Sequence, residues 1–333
     1  MRARRGAGPA RTMGAAVVAC VLALLAAACT DGAGTGGAST PDEPTGRSAA
    51  SSGPPPPPPG PDAVVVALAG DIATSGDQDA ATARLAERLD PDLVLTLGDN
   101  AYPDGTRGDF ARRYTPTWGR LLTRTRPSPG NHDYHDQAGD PPYYFTYFAA
   151  QLPPDNGGQY YAFDAGTWRL YSLNCEIDCS ASSAQVAWLR DDLRTKGAGR
   201  HKLAYLHRPR YSCGTHGSSD KPKALWRALL AARADVVASG HDHNYQRFPR
   251  MDADGHRRAD GIVSFVAGTG GGGLYRISGR EREQGCALAQ HTDSEAHGVL
   301  VLTLGTGSFS WRYATTSGRT PDSGTAATLD AGG

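Results

Sequence analysis

The chain is organised around Asp92-Leu-Val-Leu-Thr-Leu-Gly-Asp99-Asn-Ala-Tyr102. The apolar run Leu93 to Leu97 predicts a fully buried strand, and Gly98 allows the backbone to turn sharply after it. A carboxylate at the end of a buried strand is costly unless it is paired or binds a metal. Asp99 is therefore a candidate oxygen bridge between two metal ions, and Tyr102 is a candidate ligand of one of them.

The same arrangement recurs along the chain. Apolar runs end directly in Asp71, His207 and His241, and Asn131 follows a weaker run. In α/β folds, sites lie beyond the carboxyl ends of strands. One polar residue after a strand is usually a turn residue, but metal-ligand types repeated in that position predict one shared site.

Strand and helix patterns are mixed along the chain. Apolar runs predict strands at 63–69, 93–97, 202–206, 235–238, 262–267, 299–304 and 309–313, with a hairpin over 160–173. Helical spacing predicts helices at 79–89, 109–122, 183–193 and 222–232. The pattern indicates a mixed α/β fold with sheets packed in the middle.

Composition places both ends of the chain outside this fold. Residues 29–62 are mainly Gly, Ser, Thr and Pro, ending in the run Pro54–Pro59. They predict a disordered tether whose proline run is a semi-rigid spacer. Small and polar residues likewise predict a disordered tail over 315–333. One folded domain is expected over 63–314.

The N-terminal segment predicts export. Four arginines among the first eleven residues precede an apolar run from Gly14 to Ala28, which is too short to span a bilayer. Leu25-Ala-Ala-Ala-Cys29 resembles a bacterial lipobox, although alanine three residues before the cysteine is a weaker match than leucine. We predict a lipoprotein-type signal over 1–28 and a membrane anchor on Cys29. A secreted protein with an ordinary signal cleaved near Ala28 is the alternative.

Charge argues against nucleic acid as a partner. The chain has 34 basic and 34 acidic residues, and without the four N-terminal arginines it is weakly acidic. Binding to a phosphate backbone requires a basic face.

Four cysteines lie in the expected domain: Cys175, Cys179, Cys213 and Cys286. An even number in an exported domain favours disulfides, with three possible pairings. The short spacing favours Cys175–Cys179, which leaves Cys213–Cys286. A four-cysteine zinc site is the alternative, but these spacings fit no usual zinc ribbon.

In order, the polar strand ends resemble the motifs of the metallophosphoesterase (calcineurin-like) superfamily. The matching segments are Gly70-Asp71, Gly98-Asp99-Asn-Ala-Tyr102, Gly130-Asn131-His132-Asp133, His207 and Gly240-His241-Asp242-His243. Tyr102 is similar to a tyrosine of the purple acid phosphatase branch. The resemblance covers 63–314 and implies a single catalytic domain with a four-layer αββα sandwich fold.

One departure from the superfamily pattern is informative. Most members have a histidine ligand two residues after the first aspartate, where this chain has Ala73. Alanine cannot bind a metal. In purple acid phosphatases a tyrosine replaces that ligand, and Tyr102 stands at the corresponding position, so the loss and the gain compensate.

The resemblance implies two ion sites that share Asp99. It assigns Asp71, Asp99, Tyr102 and His243 to the first ion, and Asp99, Asn131, His207 and His241 to the second. Phenolate and carboxylate suit ferric iron, whereas imidazole and amide oxygen suit a divalent ion. We therefore expect Fe(III) together with Fe(II), Zn(II) or Mn(II).

Three further residues are expected to serve catalysis. The ordinary pKa of histidine suits His132 as a general acid or as a donor to the phosphoryl group, with Asp133 orienting it. His216 falls where the phosphatase branch carries a substrate-contacting histidine. Hydrolysis would be direct, by metal-bound hydroxide.

The expected function is that of an exported, membrane-tethered phosphohydrolase acting on small phosphomonoesters. A phosphodiesterase acting on cyclic nucleotides or lipid head groups remains open, because the metals read phosphate while loops select the rest. A non-catalytic surface phosphate-binding protein is the alternative of another class. The sequence leaves the physiological substrate, the pH optimum and the oligomeric state open.

Overall fold

The computed structural model describes residues 58, 60–136, 141–277 and 286–331. The expected signal peptide and the tether up to residue 57 lie outside this part of the chain. Within the described ranges, no helix is both long enough and apolar enough to cross a bilayer.

The first sheet has six strands. They are β1 Val64–Ala69, β2 Leu93–Thr96, β3 Thr125–Arg126, β11 Gly298–Leu304, β12 Ser308–Thr315 and β13 Asp322–Ala327. Their order is β13-β12-β11-β1-β2-β3. Strands β1, β2 and β3 are parallel, so their carboxyl ends meet at one edge of the sheet.

The second sheet has seven strands. They are β4 Tyr161–Ala165, β5 Trp168–Ser172, β6 His201–Leu206, β7 Val236–Ser239, β8 Tyr245–Met251, β9 Ile262–Ala267 and β10 His291–Asp293. Their order is β10-β8-β9-β7-β6-β5-β4, with β5, β6, β7 and β9 parallel. The carboxyl ends of β6 and β7 therefore also share an edge.

The helices are α1 Gln78–Leu89, α2 Arg107–Asp109, α3 Tyr143–Tyr147, α4 Ala184–Thr195 and α5 Lys223–Ala231. The prediction of one helix over 109–122 is wrong. After α2 the chain forms a π-helical turn, Phe110–Tyr114, and then a 3-10 helix, Trp118–Arg124. Pro116 has no N–H to continue the hydrogen-bond ladder, and the Thr117 hydroxyl bonds to the Arg113 carbonyl instead.

The side chains of β1 alternate between the two faces of the first sheet and so pack against two different layers. Val66 and Leu68 pack between the two sheets, whereas Ala67 and Ala69 pack against side chains of α1 on the other face. A third buried cluster joins the outer face of the second sheet to α4 and α5. The predicted four-layer αββα sandwich is confirmed.

The prediction of a disordered tail from residue 315 is wrong over β13, which pairs with β12. Asp322 anchors this strand. Its buried carboxylate accepts hydrogen bonds from Tyr245 Oη at 2.7 Å and from Arg247 Nε at 2.8 Å. The segment carries little apolar signal because its anchor is a paired charge.

Both favoured disulfides are present, Cys175–Cys179 and Cys213–Cys286. The four cysteines are thus used as covalent links, and the alternative of a four-cysteine zinc site is wrong.

Candidate metal centre

Three candidate ligands have left-handed backbone conformations and lie two or three residues beyond the last residue of their strands. Asp71 follows β1 with φ 58°, Asp99 follows β2 with φ 51°, and His241 follows β7 with φ 71°. Residues other than glycine seldom adopt this conformation. It turns the chain sharply at the edge where both sheets end, and Gly98 supports the turn at φ 85°, since a Cβ there would lie 2.6 Å from the His207 ring.

The first group of donors surrounds the Tyr102 hydroxyl. Its oxygen lies 3.0 Å from Asp71 Oδ1, 2.9 Å from Asp99 Oδ2 and 3.1 Å from His243 Nε2. His243 Nε2 is in turn 3.2 Å from Asp71 Oδ1. The structure therefore brings together all four residues that the resemblance assigns to the first ion.

The second group surrounds the ring of His207. Its Nε2 atom lies 3.3 Å from Asp99 Oδ2, 3.1 Å from Asn131 Oδ1 and 3.1 Å from His241 Nδ1. These are the four residues that the resemblance assigns to the second ion. Asp99 Oδ2 is common to both groups, which is the arrangement expected of a bridging oxygen.

Backbone carbonyls orient two of the histidines. His207 Nδ1 lies 2.9 Å from the Leu97 carbonyl, and His243 Nδ1 lies 2.8 Å from the Gly273 carbonyl. A carbonyl can only accept, so each Nδ1 carries a proton, and Nε2 is the atom that would bind a cation once the ring is neutral. Metal-binding histidines are commonly held in this way.

The electrostatics of the centre favour a positive charge. Burial raises the pKa of Tyr102 far above its ordinary value, and the carboxylates of Asp71 and Asp99 raise it further. Burial alone would lower the pKa of His207, but Asp99 and then Asp71 raise it to about 10. The one phenol proton cannot satisfy three acceptors at once. Cations among these atoms would resolve the conflict, so the donor set fits metal ions.

His132 stands at the open side of this centre. Its Nε2 atom is 3.9 Å from Asp99 Oδ2, and its side chain is 31% exposed. Its Nδ1 atom contacts the Pro103 carbonyl. A group placed this way can reach a substrate bound at the centre.

The prediction that Asp133 orients His132 is wrong. The Asp133 carboxylate turns inward and accepts hydrogen bonds from Gly130 N and Asn100 Nδ2, both at 2.9 Å. Burial, and then the charge of Asp99, raises the pKa of Asp133 to about 7. Asp133 therefore holds the turn that presents Asn131, and the Pro103 carbonyl is the group that contacts the His132 ring.

Aromatic rings stack on two of the candidate histidine ligands. His216 is exposed and stacks on His241, with ring centroids 4.2 Å apart, while its backbone N–H bonds Asp242 Oδ1 at 2.9 Å. Tyr275 stacks on His243 at 4.1 Å. Tyr275 was not predicted, because it follows a glycine-rich run in a loop and belongs to no motif.

Two further residues near the candidate ligands were not predicted from the sequence. Arg208 reaches Asn131 and His241, and Glu176 pairs with Arg208. Arg208 follows a candidate ligand directly, which was the only available signal. Glu176 lies in a short loop between two cysteines, with no pattern to mark it.

Comparison with known protein families identifies the family of this chain. The family model for calcineurin-like phosphoesterases matches residues 57–245. The chain belongs to the calcineurin-like phosphoesterase family.

Its curated relatives include plant purple acid phosphatases. Probable purple acid phosphatase 20 of Arabidopsis thaliana is 25% identical over 259 residues, covering 71% of this chain and 58% of the relative. Purple acid phosphatase 21 of the same plant is 30% identical over 229 residues, covering 62% of this chain and 49% of the relative. The chain thus spans about half the length of the curated relatives it matches.

A solved structure shows the same fold. The purple acid phosphatase from yellow lupin (Lupinus luteus) seeds superposes with a TM-score of 0.62 at 18% identity, covering 82% of this chain and 55% of that one. The resemblance inferred from the motifs is thereby confirmed.

Proposed function

We propose that this protein is a dinuclear metal-dependent phosphatase of the purple acid phosphatase type that hydrolyses small phosphomonoesters. The observation that carries the proposal is the position of Asp99 Oδ2, within 2.9 Å of one donor group and 3.3 Å of the other. A single carboxylate oxygen between two sets of hard donors and imidazoles suits a pair of ions.

Charge supports a phosphate substrate. Asp71, Asp99 and a Tyr102 phenolate would contribute three negative charges against five positive charges of a ferric–divalent pair, and the surplus suits a phosphate dianion. When bound, two such ions would activate a water molecule and neutralise the phosphoryl oxygens. We assign Asp71, Asp99, Tyr102 and His243 to Fe(III), and Asp99, Asn131, His207 and His241 to Fe(II), Zn(II) or Mn(II).

The remaining residues would bind the ester and move a proton. His132 is partly exposed beside Asp99 and can donate a proton to the leaving oxygen or a hydrogen bond to the phosphoryl group. His216, which stacks on His241, would contact a substrate bound beside that histidine. Asp133 acts on the reaction only through the turn it stabilises.

The test uses the purified full chain and two chromogenic esters. We expect p-nitrophenyl phosphate to be hydrolysed faster than bis(p-nitrophenyl) phosphate, with two metal ions per chain. Preference for the bis-ester would instead favour a phosphodiesterase. Two bound ions, or tight orthophosphate binding, without turnover of either ester would favour a non-catalytic phosphate-binding protein.

We also infer that the protein is exported and held at the cell surface by a lipid on Cys29. The lipobox-like sequence and the tether support this, and two disulfides suit an oxidising compartment. Mass spectrometry of the N-terminal peptide should find an acylated Cys29. Release of the Cys29→Ala variant into the medium would agree, whereas equal membrane retention would contradict the anchor.

A further inference from the structure

Arg208 contacts two candidate ligands of the second ion. Its Nη2 atom donates to Asn131 Oδ1 at 3.2 Å, and its Nη1 atom lies 3.0 Å from His241 Nε2. An arginine has donors but no acceptor. The Asn131 amide must therefore turn its oxygen, and not its NH₂ group, toward Arg208 and the His207 ring.

Glu176 holds the guanidinium in place. Arg208 Nε lies 2.7 Å from Glu176 Oε1 and Nη2 lies 3.1 Å from Oε2, so the pair is bidentate. Bidentate geometry fixes the plane of the arginine as well as its charge. The Glu176 side chain is only 8% exposed, so solvent competes little for the pair.

The loop that carries Glu176 is itself restrained. The Cys175–Cys179 disulfide closes it, with Cα atoms 5.4 Å apart. Glu176 N–H donates to Asn174 Oδ1 at 2.8 Å, and Asn174 Nδ2 donates to Tyr134 Oη at 2.7 Å. The restraint thus runs from the disulfide loop through Glu176 and Arg208 to the candidate metal ligands.

We propose that Arg208 is a positioning residue for the second ion site and that Glu176, in its disulfide-closed loop, holds Arg208 there. This inference rests on the metal centre of the proposed function. Glu176 also neutralises the guanidinium, which would otherwise repel a cation at the His207 side of the centre. Both effects raise the affinity of the second site for a divalent ion.

The two contacts of Arg208 differ in what they can do with an ion present. Asn131 Oδ1 has two lone pairs, so it can accept from Arg208 and still face a cation. A neutral His241 whose Nδ1 lone pair faces a cation carries its proton on Nε2 and cannot accept from Arg208. The Asn131 contact is therefore the one that positions a ligand of the loaded site.

The test compares Arg208→Lys and Glu176→Gln with wild type. The first variant keeps the charge and loses the bidentate fork, and the second keeps the shape and loses the charge. The matched control is the exposed bidentate pair of Arg120 and Glu87, whose Nε–Oε1 and Nη2–Oε2 distances are 2.6 and 3.1 Å. Arg120→Lys and Glu87→Gln change the same atoms away from the centre.

The readout is the stepwise affinity of metal-free protein for Mn²⁺ or Zn²⁺, measured by titration calorimetry with metal counting by mass spectrometry. We expect about tenfold weaker binding of the second ion in Arg208→Lys and Glu176→Gln, the range known for groups that orient metal ligands. Binding of the first ion, and both steps in the control variants, should match wild type.

A second perturbation leaves Arg208 and Glu176 in the chain. The double variant Cys175→Ser, Cys179→Ser opens the loop and should also weaken the second ion selectively. If wild type binds two ions and these variants bind the second equally tightly, the role of Arg208 and Glu176 is overturned while the proposed function stands. If wild type itself binds fewer than two ions, the proposed function fails first and this inference fails with it.

Discussion

The Tyr102 hydroxyl lies 2.9 Å from Asp99 Oδ2. That contact joins a phenol of the first donor group to the carboxylate oxygen that the second donor group shares. A change at Asp99 should therefore reach both ion sites, whereas a change at Tyr102 should reach the first alone.

Asp99→Asn should remove both ions. Asparagine keeps the shape but loses the negative charge that two cations would share. We expect metal affinity to fall by more than the roughly 100-fold upper range for residues that only orient ligands, with hydrolysis lost in parallel. Metal counting and a p-nitrophenyl phosphate assay measure this. The exposed Asp191→Asn is the control, and full metal content in Asp99→Asn would disprove the bridge.

Tyr102→Phe should affect the first ion alone. A phenolate bound to ferric iron absorbs visible light, so the purple colour expected for the wild type should disappear with the hydroxyl. An absorption scan of the iron-loaded protein checks this. Tyr275→Phe removes a hydroxyl from a ring that stacks on His243 at 4.1 Å and should leave the band in place. An unchanged absorption band in Tyr102→Phe would exclude Tyr102 as a ligand of the first ion.

Gly130→Ala should displace Asp99. A Cβ at Gly130 would lie 2.2 Å from Asp99 Oδ1. We expect a loss of about 1–3 kcal/mol in the free energy of unfolding, typical of overpacking, together with lost metal binding. Denaturant titration and metal counting measure the two effects. Gly307→Ala places its Cβ in open space, and a similar effect there would mean that crowding at Asp99 is not the cause.

His132→Gln should separate chemistry from metal binding. General acid catalysis contributes about 10²–10⁴-fold, so kcat should fall within that range while both ions stay bound. The His256 side chain is 77% exposed, and His256→Gln should change neither quantity. Loss of metal in His132→Gln would show that the residue has a structural role.

Asp322→Asn should weaken the attachment of β13 in a pH-dependent way. Burial raises the pKa of Asp322, but hydrogen bonds from Arg247 and Tyr245 outweigh it and hold the pKa below its ordinary value. The ionised carboxylate therefore stabilises the fold above the unfolded pKa of about 3.9, and this contribution is lost as pH falls through the lower folded pKa.

At pH 7 the variant should lose about 2 kcal/mol of unfolding free energy, in the range of charge-assisted hydrogen bonds. The difference from wild type should shrink below about pH 4. Urea titration at both pH values tests this, with the exposed Asp330→Asn as control. A difference that does not change with pH would assign the effect to packing and not to charge.

Much of the fold could be predicted because the buried strands are short, continuous apolar runs in the sequence. The strands that precede Asp71, Asp99, His207 and His241 were all found from such runs, since each strand is covered on both faces. Strand β8 was missed because its segment, Tyr245–Met251, contains two arginines and a proline.

The candidate metal ligands could be predicted from the order of the motifs, but the residues that hold those ligands in place could not. Arg208 and Glu176 meet only after the chain has folded, being 32 residues apart. Asp133 was misread because adjacency to His132 suggested contact, whereas its carboxylate satisfies buried N–H groups of Gly130 and Asn100. Spacing shows which elements carry polar residues, but it does not show which way a side chain turns.

The two sheets of the sandwich contribute different types of ligand to the candidate centre. The strands of the first sheet lead into the carboxylates of Asp71 and Asp99, and the strands of the second sheet lead into the imidazoles of His207 and His241. Cations there would therefore link the two sheets at this edge, in addition to the packing between them and the Asp322 contacts with Tyr245 and Arg247. Removal of the ions by a chelator should therefore loosen the packing of the two sheets first at this edge. Amide hydrogen exchange should rise first at the carboxyl ends of β2 and β7.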